Sequence, residues 1–350
     1  MNIVYMGTPD FSVKPLQELH KHHKISLVIT RPDAVRGRGK KLIPSPVKQC
    51  ANALSLPVRE ATRFDDELIS AVKACEPDVI VVAAYGCIIP DSVLALPRYT
   101  TLNIHASLLP RWRGAAPIQR AILSRDEVTG VSIMNVVHEL DAGDFCRQAS
   151  LKIGTQSLDE LTDMLSVLGA RELLCALSDI EAHKVVWHRQ SETDVTYAQK
   201  IDKHELLLDP SLSAESNVVR IQASGDAAPA RFMMGQKGVR ALVGHFVGDE
   251  VASENAASNT AASANAASEN AMSESAVSKS NASENSVSES ASRAELIPAG
   301  SVLIQNHRVF LGCASGTLEL LRVKPDGKSA MSAHDWSLGL HNVSTWSHVS

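Results

Sequence analysis

The sequence predicts an α/β chain: a mostly parallel sheet with helices on both faces, followed by a small antiparallel barrel or sandwich. Three observations carry that prediction. Short runs rich in Val, Ile, Leu and Ala alternate with helical periodicity through the first half, and near-continuous apolar strands of this kind belong to parallel sheets buried on both faces. From roughly residue 187 the pattern changes to strands of alternating polarity separated by turn residues. At 350 residues the chain is long enough for two domains of ordinary size.

Asn2–Gly7 is an apolar run ending at Gly7-Thr8-Pro9-Asp10, and residues 11–22 are helical with Pro15 tolerated in the first turn. A second strand covers 25–30, a helix 66–75, and a strongly apolar strand 78–84 that ends at Tyr85-Gly86. Residues 101–105 form another strand and 115–124 a helix, then come strands at 130–137 and 145–153 and a long closing helix at 158–180. In the second half, strands are expected at 238–246, 301–305, 308–313 and 317–323. The expected domains are 1–186, a linker at 187–206, and 207–345. The last is interrupted at about 249–293 by a low-complexity tract of Ala, Ser, Asn and Glu. Such a tract buries too little apolar surface to offset its ordering entropy and is expected to be a disordered loop.

Hydrophobic residues make up 44% and charged residues 21% of the chain, a globular composition; aromatics, at 4%, leave the core to aliphatic side chains. No stretch approaches the ~20 apolar residues that span a bilayer, and no basic-then-apolar leader precedes the first strand. A cytoplasmic protein without membrane association is expected, with a monomer as the default. The net charge of −5 argues superficially against a nucleic-acid partner. Residues 249–293, however, hold seven acids and two bases, so the rest of the chain sums to zero and a local basic site remains open. The six cysteines are scattered, with no pair at metal-ligand spacing, so neither a disulfide framework nor a metal site is expected.

In open parallel sheets, ligands bind outside the carboxyl ends of the strands. That rule brings Gly7-Thr8-Pro9, Tyr85-Gly86 and residues 103–107 into one crevice. Asn103 and His105 stand two apart on a strand and so share a face. An amide donor beside a titratable imidazole suits an intermediate carrying a developing oxyanion, and the imidazole can also move a proton near neutral pH. Alone, such a pair is more often structural. The turn Leu140-Asp141-Ala142-Gly143-Asp144 adds a carboxylate that can approach the ring and fix its tautomer; its ordinary reading is a simple turn aspartate.

The run Asn103-Ile104-His105-Ala106-Ser107-Leu108-Leu109-Pro110, closed by Arg113-Gly114, resembles, with the later Leu140-Asp141-Ala142-Gly143, the signature of folate-dependent formyltransferases. Met6–Phe11, Gly37–Lys48, Ala83–Pro90, Tyr197–Ile201 and Pro325–Met331 are similar to the methionyl-tRNA formyltransferase branch of that family. The resemblance implies a Rossmann-like catalytic domain followed by an OB-like β-barrel. It implies a catalytic trio of Asn103, His105 and Asp141, with 10-formyltetrahydrofolate as donor cosubstrate and no metal. It places the folate along Ser107, Leu108, Leu109 and Pro110, with further contacts from Tyr85, Gly86, Ile88, Ile89, Gly143 and Asp144. The amine of initiator methionyl-tRNA is then the acceptor, attacking directly without a covalent enzyme intermediate.

Residues 31–41 hold five basic side chains against Asp33. By themselves they read as a solvated loop or as a flexible strip able to follow phosphates. The resemblance implies tRNA contacts from Arg36, Arg38, Lys40 and Lys41, Arg38 foremost. Arg111 and Arg113 either add to that field or are tied up in ion pairs.

Overall fold

The computed structural model describes residues 1–35, 42–247, 297–341 and 343–349. The chain divides into two compact units, Met1–Leu206 with Val219–Pro229, and Leu207–Val218 with Ala230–Ser350. Residues 187–206, expected as a linker, fall inside the first unit.

The first unit is built on a seven-stranded sheet. Its strands are β1 (Asn2–Gly7), β2 (Lys24–Thr30), β3 (Val58–Glu60), β4 (Val79–Ala83), β5 (Thr100–His105), β6 (Val128–Asn135) and β7 (Phe145–Lys152). Their order across the sheet is β7-β6-β5-β4-β1-β2-β3. The five strands from β3 to β5 run parallel; β6 and β7 are antiparallel additions at one edge. Order reverses at β1, which pairs with β2 on one side and β4 on the other.

Alternation along the central strands feeds two cores. On one face Ile3, Tyr5, Val79, Val81, Leu102 and Ile104 pack under the helices Val13–His22 and Leu158–Glu181. On the other Val4, Met6, Ile80 and Val82 meet Leu68 and Val72 of the helix Asp66–Ala74. Strands buried on both faces read as unbroken apolar runs because both sets of side chains leave water. The long helix begins at a capping box in which Ser157 and Glu160 satisfy each other's backbone N–H groups. Its residues Leu161, Leu165, Leu173, Leu177 and Ile180 then form the buried stripe. Elements absent from the expected list are the helix Pro46–Ala53 and the short strand β3. The helix has its signals, a Ser45 cap and Pro at its start, but it is only two turns long.

The second unit is antiparallel: β8 (Arg231–Met234), β9 (Lys237–Phe246), β10 (Val302–Gln305), β11 (Arg308–Gly312), β12 (Thr317–Pro325) and β13 (Trp346–Ser347). Their order is β10-β11-β12-β9-β8-β13, with Met331–Ser332 against β12. The two ends of this path approach each other: Ser301 bridges Thr345, and the Trp346 N–H donates to the Gly300 carbonyl at 2.8 Å. The sheet therefore nearly closes into a barrel, which removes the unpaired edges an open sandwich would expose. The low-complexity tract at about 249–293 lies outside the described residues.

Candidate active site

The crevice forms where the carboxyl ends of the parallel strands meet. Gly7 pairs with Ala83 and Val82 with Asn103, so the loops after β1, β4 and β5 emerge side by side. Thr8 Oγ1 donates to the Tyr85 carbonyl at 3.0 Å, and Ser12 Oγ to the Ala83 carbonyl at 2.6 Å. Three segments far apart in sequence are thus stitched together.

Asn103 is half-buried, and its amide has no hydrogen-bond partner among the described residues. His105, two residues on, is 5% exposed. Its Nε2 lies 2.8 Å from the Trp112 carbonyl, and because a carbonyl only accepts, Nε2 carries a proton. Its Nδ1 lies 3.7 Å from Asp141 Oδ2. That oxygen also accepts the Gly114 N–H at 2.9 Å, which fixes the direction in which the carboxylate points. The amide, the imidazole and the distant carboxylate do come together.

Backbone geometry is unusual around this ring. Trp112 has φ +64° and Asp141 φ +51°. A left-handed conformation is tolerable for Asp but costly for a bulky Trp, and it survives only where surrounding contacts enforce it. Here they do: the Trp112 N–H donates to Thr196 Oγ1 at 2.9 Å, and Arg113-Gly114 pairs with Tyr197-Ala198. Gly143 has no room for a side chain, since a Cβ there would overlap the Asn135 carbonyl oxygen.

The residues after β5 form a tightly bonded turn. Ser107 Oγ donates to the Arg111 carbonyl, and its own carbonyl accepts from Ser132 Oγ. The Leu109 N–H donates to Ser132 Oγ, and the Leu109 carbonyl accepts from Gln148. These polar groups are spent inside the protein, so what Leu108 and Pro110, both half-buried, offer a ligand is apolar surface. On the far side, Tyr85 is buried, Gly86 is exposed and Ile88 is 92% exposed. Val136 and Ile89 both pack against the core cluster that includes Tyr85, and His138 Nδ1 lies 3.5 Å from Asp91 Oδ1, so the segments after β4 and β6 lie beside each other. Asp144 is exposed beside the buried Gly143.

Arg36, Arg38, Lys40 and Lys41 lie outside the described residues. Their flanks pair, Ala34 with Ile43 and Val35 with Leu42. Arg31 turns instead to the loop after β4, donating to the Gly86 carbonyl at 3.2 Å. Neither Arg111 nor Arg113 is uncommitted: Arg111 makes a two-pronged pair with Asp126, and Arg113 is buried against Gln190 and Glu192. A groove of about 450 Å³ between β7 and the long helix is lined by Leu151, Met164, Val167 and Leu168 with Ser150, Asp163 and Arg171, and contains none of the trio. Among the described residues no cluster of His, Cys, Asp and Glu is arranged to hold a metal.

Sequence reasoning missed Gln190, whose amide binds the loop carrying Asp141, and Ser132 and Gln148, which hold the turn after β5. Each is a polar residue in a segment whose periodicity describes only its strand or loop, so no pattern singles it out.

The chain thus combines an α/β sheet, with an amide, an imidazole and a carboxylate beyond the carboxyl end of β5, with a second, antiparallel barrel unit, the class of a two-domain α/β plus β-barrel protein. Residues 1–176 match the family described as formyl transferase, and residues 200–341 match the formyl transferase C-terminal domain. The methionyl-tRNA formyltransferase of Methylococcus capsulatus is 37% identical over 339 residues, 96% of both chains. That of Methylobacillus flagellatus is 46% identical over 227 residues, 64% of this chain and 74% of its own. Among solved structures, the sugar 3N-formyl transferase WlaRD, with dTDP and 5-N-formyl-THF, superimposes with TM-score 0.59 at 11% identity over 94% of this chain and 99% of that one. HypX from Aquifex aeolicus, in complex with tetrahydrofolic acid, gives 0.60 at 14% identity over 95% of this chain, which spans only 46% of that longer protein. These last two show the shared fold. The chain belongs to the formyl transferase family, and its curated relatives are methionyl-tRNA formyltransferases.

Proposed function

We propose that the chain transfers the formyl group of 10-formyltetrahydrofolate to the amino group of methionyl-initiator-tRNA, giving N-formylmethionyl-tRNA. The amine attacks the formyl carbon directly, and the bond from that carbon to N10 of the folate then breaks, N10 taking up the proton the amine gives up and leaving as tetrahydrofolate. The Asn103 amide and the His105 ring donate hydrogen bonds to the oxygen that becomes negative, and Asp141 supports the ring and takes part in relaying the amine's proton.

One observation carries this reading: a solvent-reachable amide with no internal partner stands two residues from an imidazole whose Nδ1 is 3.7 Å from Asp141. An unspent donor at a crevice is what an oxyanion requires, since a donor already bonded inside the protein would have to be released first. The Trp112 carbonyl accepts the Nε2–H, while Nδ1, at 3.7 Å from Asp141 Oδ2, is beyond hydrogen-bond range of that carboxylate, which leaves Nδ1 as the ring atom able to meet the reacting oxygen.

We assign the folate to the opening between the loops after β4 and β6, against Tyr85, Gly86, Ile88, Ile89, Ser107, Leu108, Leu109, Pro110, Gly143 and Asp144. The exposed Ile88 supports this, as does Leu140 at 71% exposure, because apolar side chains flanking a crevice are what a flat heterocycle covers. The tRNA is assigned to the basic residues Arg36, Arg38, Lys40 and Lys41, which lie in sequence between the paired flanks 34–35 and 42–43.

The test is formylation of methionyl-tRNA by 10-formyltetrahydrofolate, with and without a free amine such as an amino-sugar nucleotide as competitor. Formylated tRNA produced undiminished by the competitor is the expected result; preference for the free amine would reject the tRNA assignment. Arg38→Ala is expected to raise KM for tRNA about tenfold or less, the loss of one phosphate contact, with little change in KM for folate. Equal weakening of both would remove the loop from its role.

A further inference from the structure

The groups of the proposed reaction come from two parts of the chain, the strand carrying Asn103 and His105 and the turn carrying Asp141, and one buried amide joins the supports of His105 and Asp141. Gln190 is 3% exposed. Its Nε2 donates to the Asp141 carbonyl at 2.8 Å and to the Gly143 carbonyl at 2.7 Å, and its Oε1 accepts from Arg113 Nε at 2.8 Å. Both amide protons and the amide oxygen are therefore used. Arg113, 1% exposed, lies between the two residues that touch the catalytic groups: Trp112, whose carbonyl takes the His105 Nε2 proton, and Gly114, whose N–H holds Asp141 Oδ2. The contacts close a ring, from His105 through Trp112, Arg113, Gln190 and Asp141 back to His105.

Two members of that ring, Trp112 and Asp141, have left-handed backbones, conformations that relax when their restraints are removed. The Asp141 turn has no regular secondary structure of its own, and the Gln190 bridge across its two carbonyls is what spans it. A carboxylate at position 190 would face two carbonyl oxygens with no proton to offer, and an aliphatic side chain would also leave Arg113 Nε without its acceptor, the guanidinium keeping only Glu192.

We propose that Gln190 is a positioning residue for formyl transfer: it sets the separation of Asp141 from the His105 ring by tying the Asp141 turn to Arg113. This rests on the trio assigned above and adds to it a residue that touches neither the ring nor the crevice. Since a displacement of about 1 Å at reacting groups can cost on the order of 100-fold, Gln190→Leu is expected to lower kcat about 100-fold. KM for methionyl-tRNA, which is bound elsewhere, is expected to stay within about twofold.

The decisive experiment is a double-mutant cycle of Gln190→Leu with Asp141→Asn in the full-length chain, read as kcat at saturating substrates. If Gln190 acts through Asp141, adding Gln190→Leu to Asp141→Asn costs no more than about threefold, because residues in one network are non-additive. A full further 100-fold loss in the double variant, or wild-type kcat in folded Gln190→Leu, would overturn the inference while leaving the trio standing. Wild-type kcat in Asp141→Asn alone would overturn the trio and this inference with it. Should Gln190→Leu fail to fold, Gln190→Glu carries the same comparison, since it keeps an acceptor for Arg113 and loses the donors to the turn.

Discussion

At the scale of single residues, what distinguishes the crevice is which polar groups are spent and which are free. The turn after β5 commits the hydroxyl of Ser107 and the backbone of Leu109 to internal bonds, while the Asn103 amide stays uncommitted. Removing one donor to a developing oxyanion costs about 2.7–4 kcal/mol of barrier. Asn103→Ala is thus expected to lower kcat by roughly 10²–10³. His105→Ala should abolish turnover while sparing tRNA binding, and a wild-type rate in that variant would sink the mechanism. The cysteines make a separate prediction. Burial pushes the thiols of Cys146 and Cys313 up to about 11, and only the thiolate attacks electrophiles. In the native protein at pH 8 both are expected to resist iodoacetamide and to react at the ordinary rate once urea unfolds the chain. Rapid native alkylation, mapped by mass spectrometry, would contradict that.

At the scale of elements, the site is assembled by pieces too short to carry a periodic signal. The two-residue strand Arg113–Gly114 and its partner Tyr197–Ala198 supply one wall of the His105 pocket. Tyr197–Ala198 belongs to the segment 187–206, which reads as a linker because nothing in it alternates. The pair Asn103 and His105 was legible because a strand's period of two is rigid. The approach of Asp141 was legible only through the family signature, since nothing in a turn's local sequence states which strand end it reaches. The long helix was legible by its periodic stripe, and the structure adds the Ser157 to Glu160 box at its start. Ser157→Ala is expected to destabilise the first unit by about 1 kcal/mol, seen as a lower urea midpoint at unchanged slope; no shift would mean the cap contributes nothing beyond its hydrogen-bond geometry.

At the scale of the whole molecule, the second unit explains how a long insertion can be carried. The Val247 N–H donates to the Thr317 carbonyl, Gly312 pairs with Thr317, and Gly312 also lies tight against the Ile297 and Pro298 carbonyls. The described chain therefore leaves the barrel and re-enters it at one place. Loop-closure entropy grows only slowly with length, so the fold tolerates either a long or a short connection there. Deleting residues 251–292 is expected to leave Tm and turnover nearly unchanged; a collapse of either would make the tract structural.

Chain-wide, the sequence by itself determined the class of the fold, the alternation of its strands and helices, the strand that carries Asn103 and His105, and, through the resemblance, the family and its chemistry. Each follows from periodicities or motifs contained within a few consecutive residues. Only the tertiary structure decided that the ring's Nε2 is committed to the Trp112 carbonyl, that Arg113 lies inside rather than on the surface, and that Gln190 joins the two supports of the site. The contacts of Gln190 with Arg113 and Asp141 depend on segments that meet across 49 to 77 residues of chain, and that of Gly114 with Asp141 across 27. That choice is made by burying apolar faces against each other, and a buried polar group then takes whichever partner the packing leaves within reach.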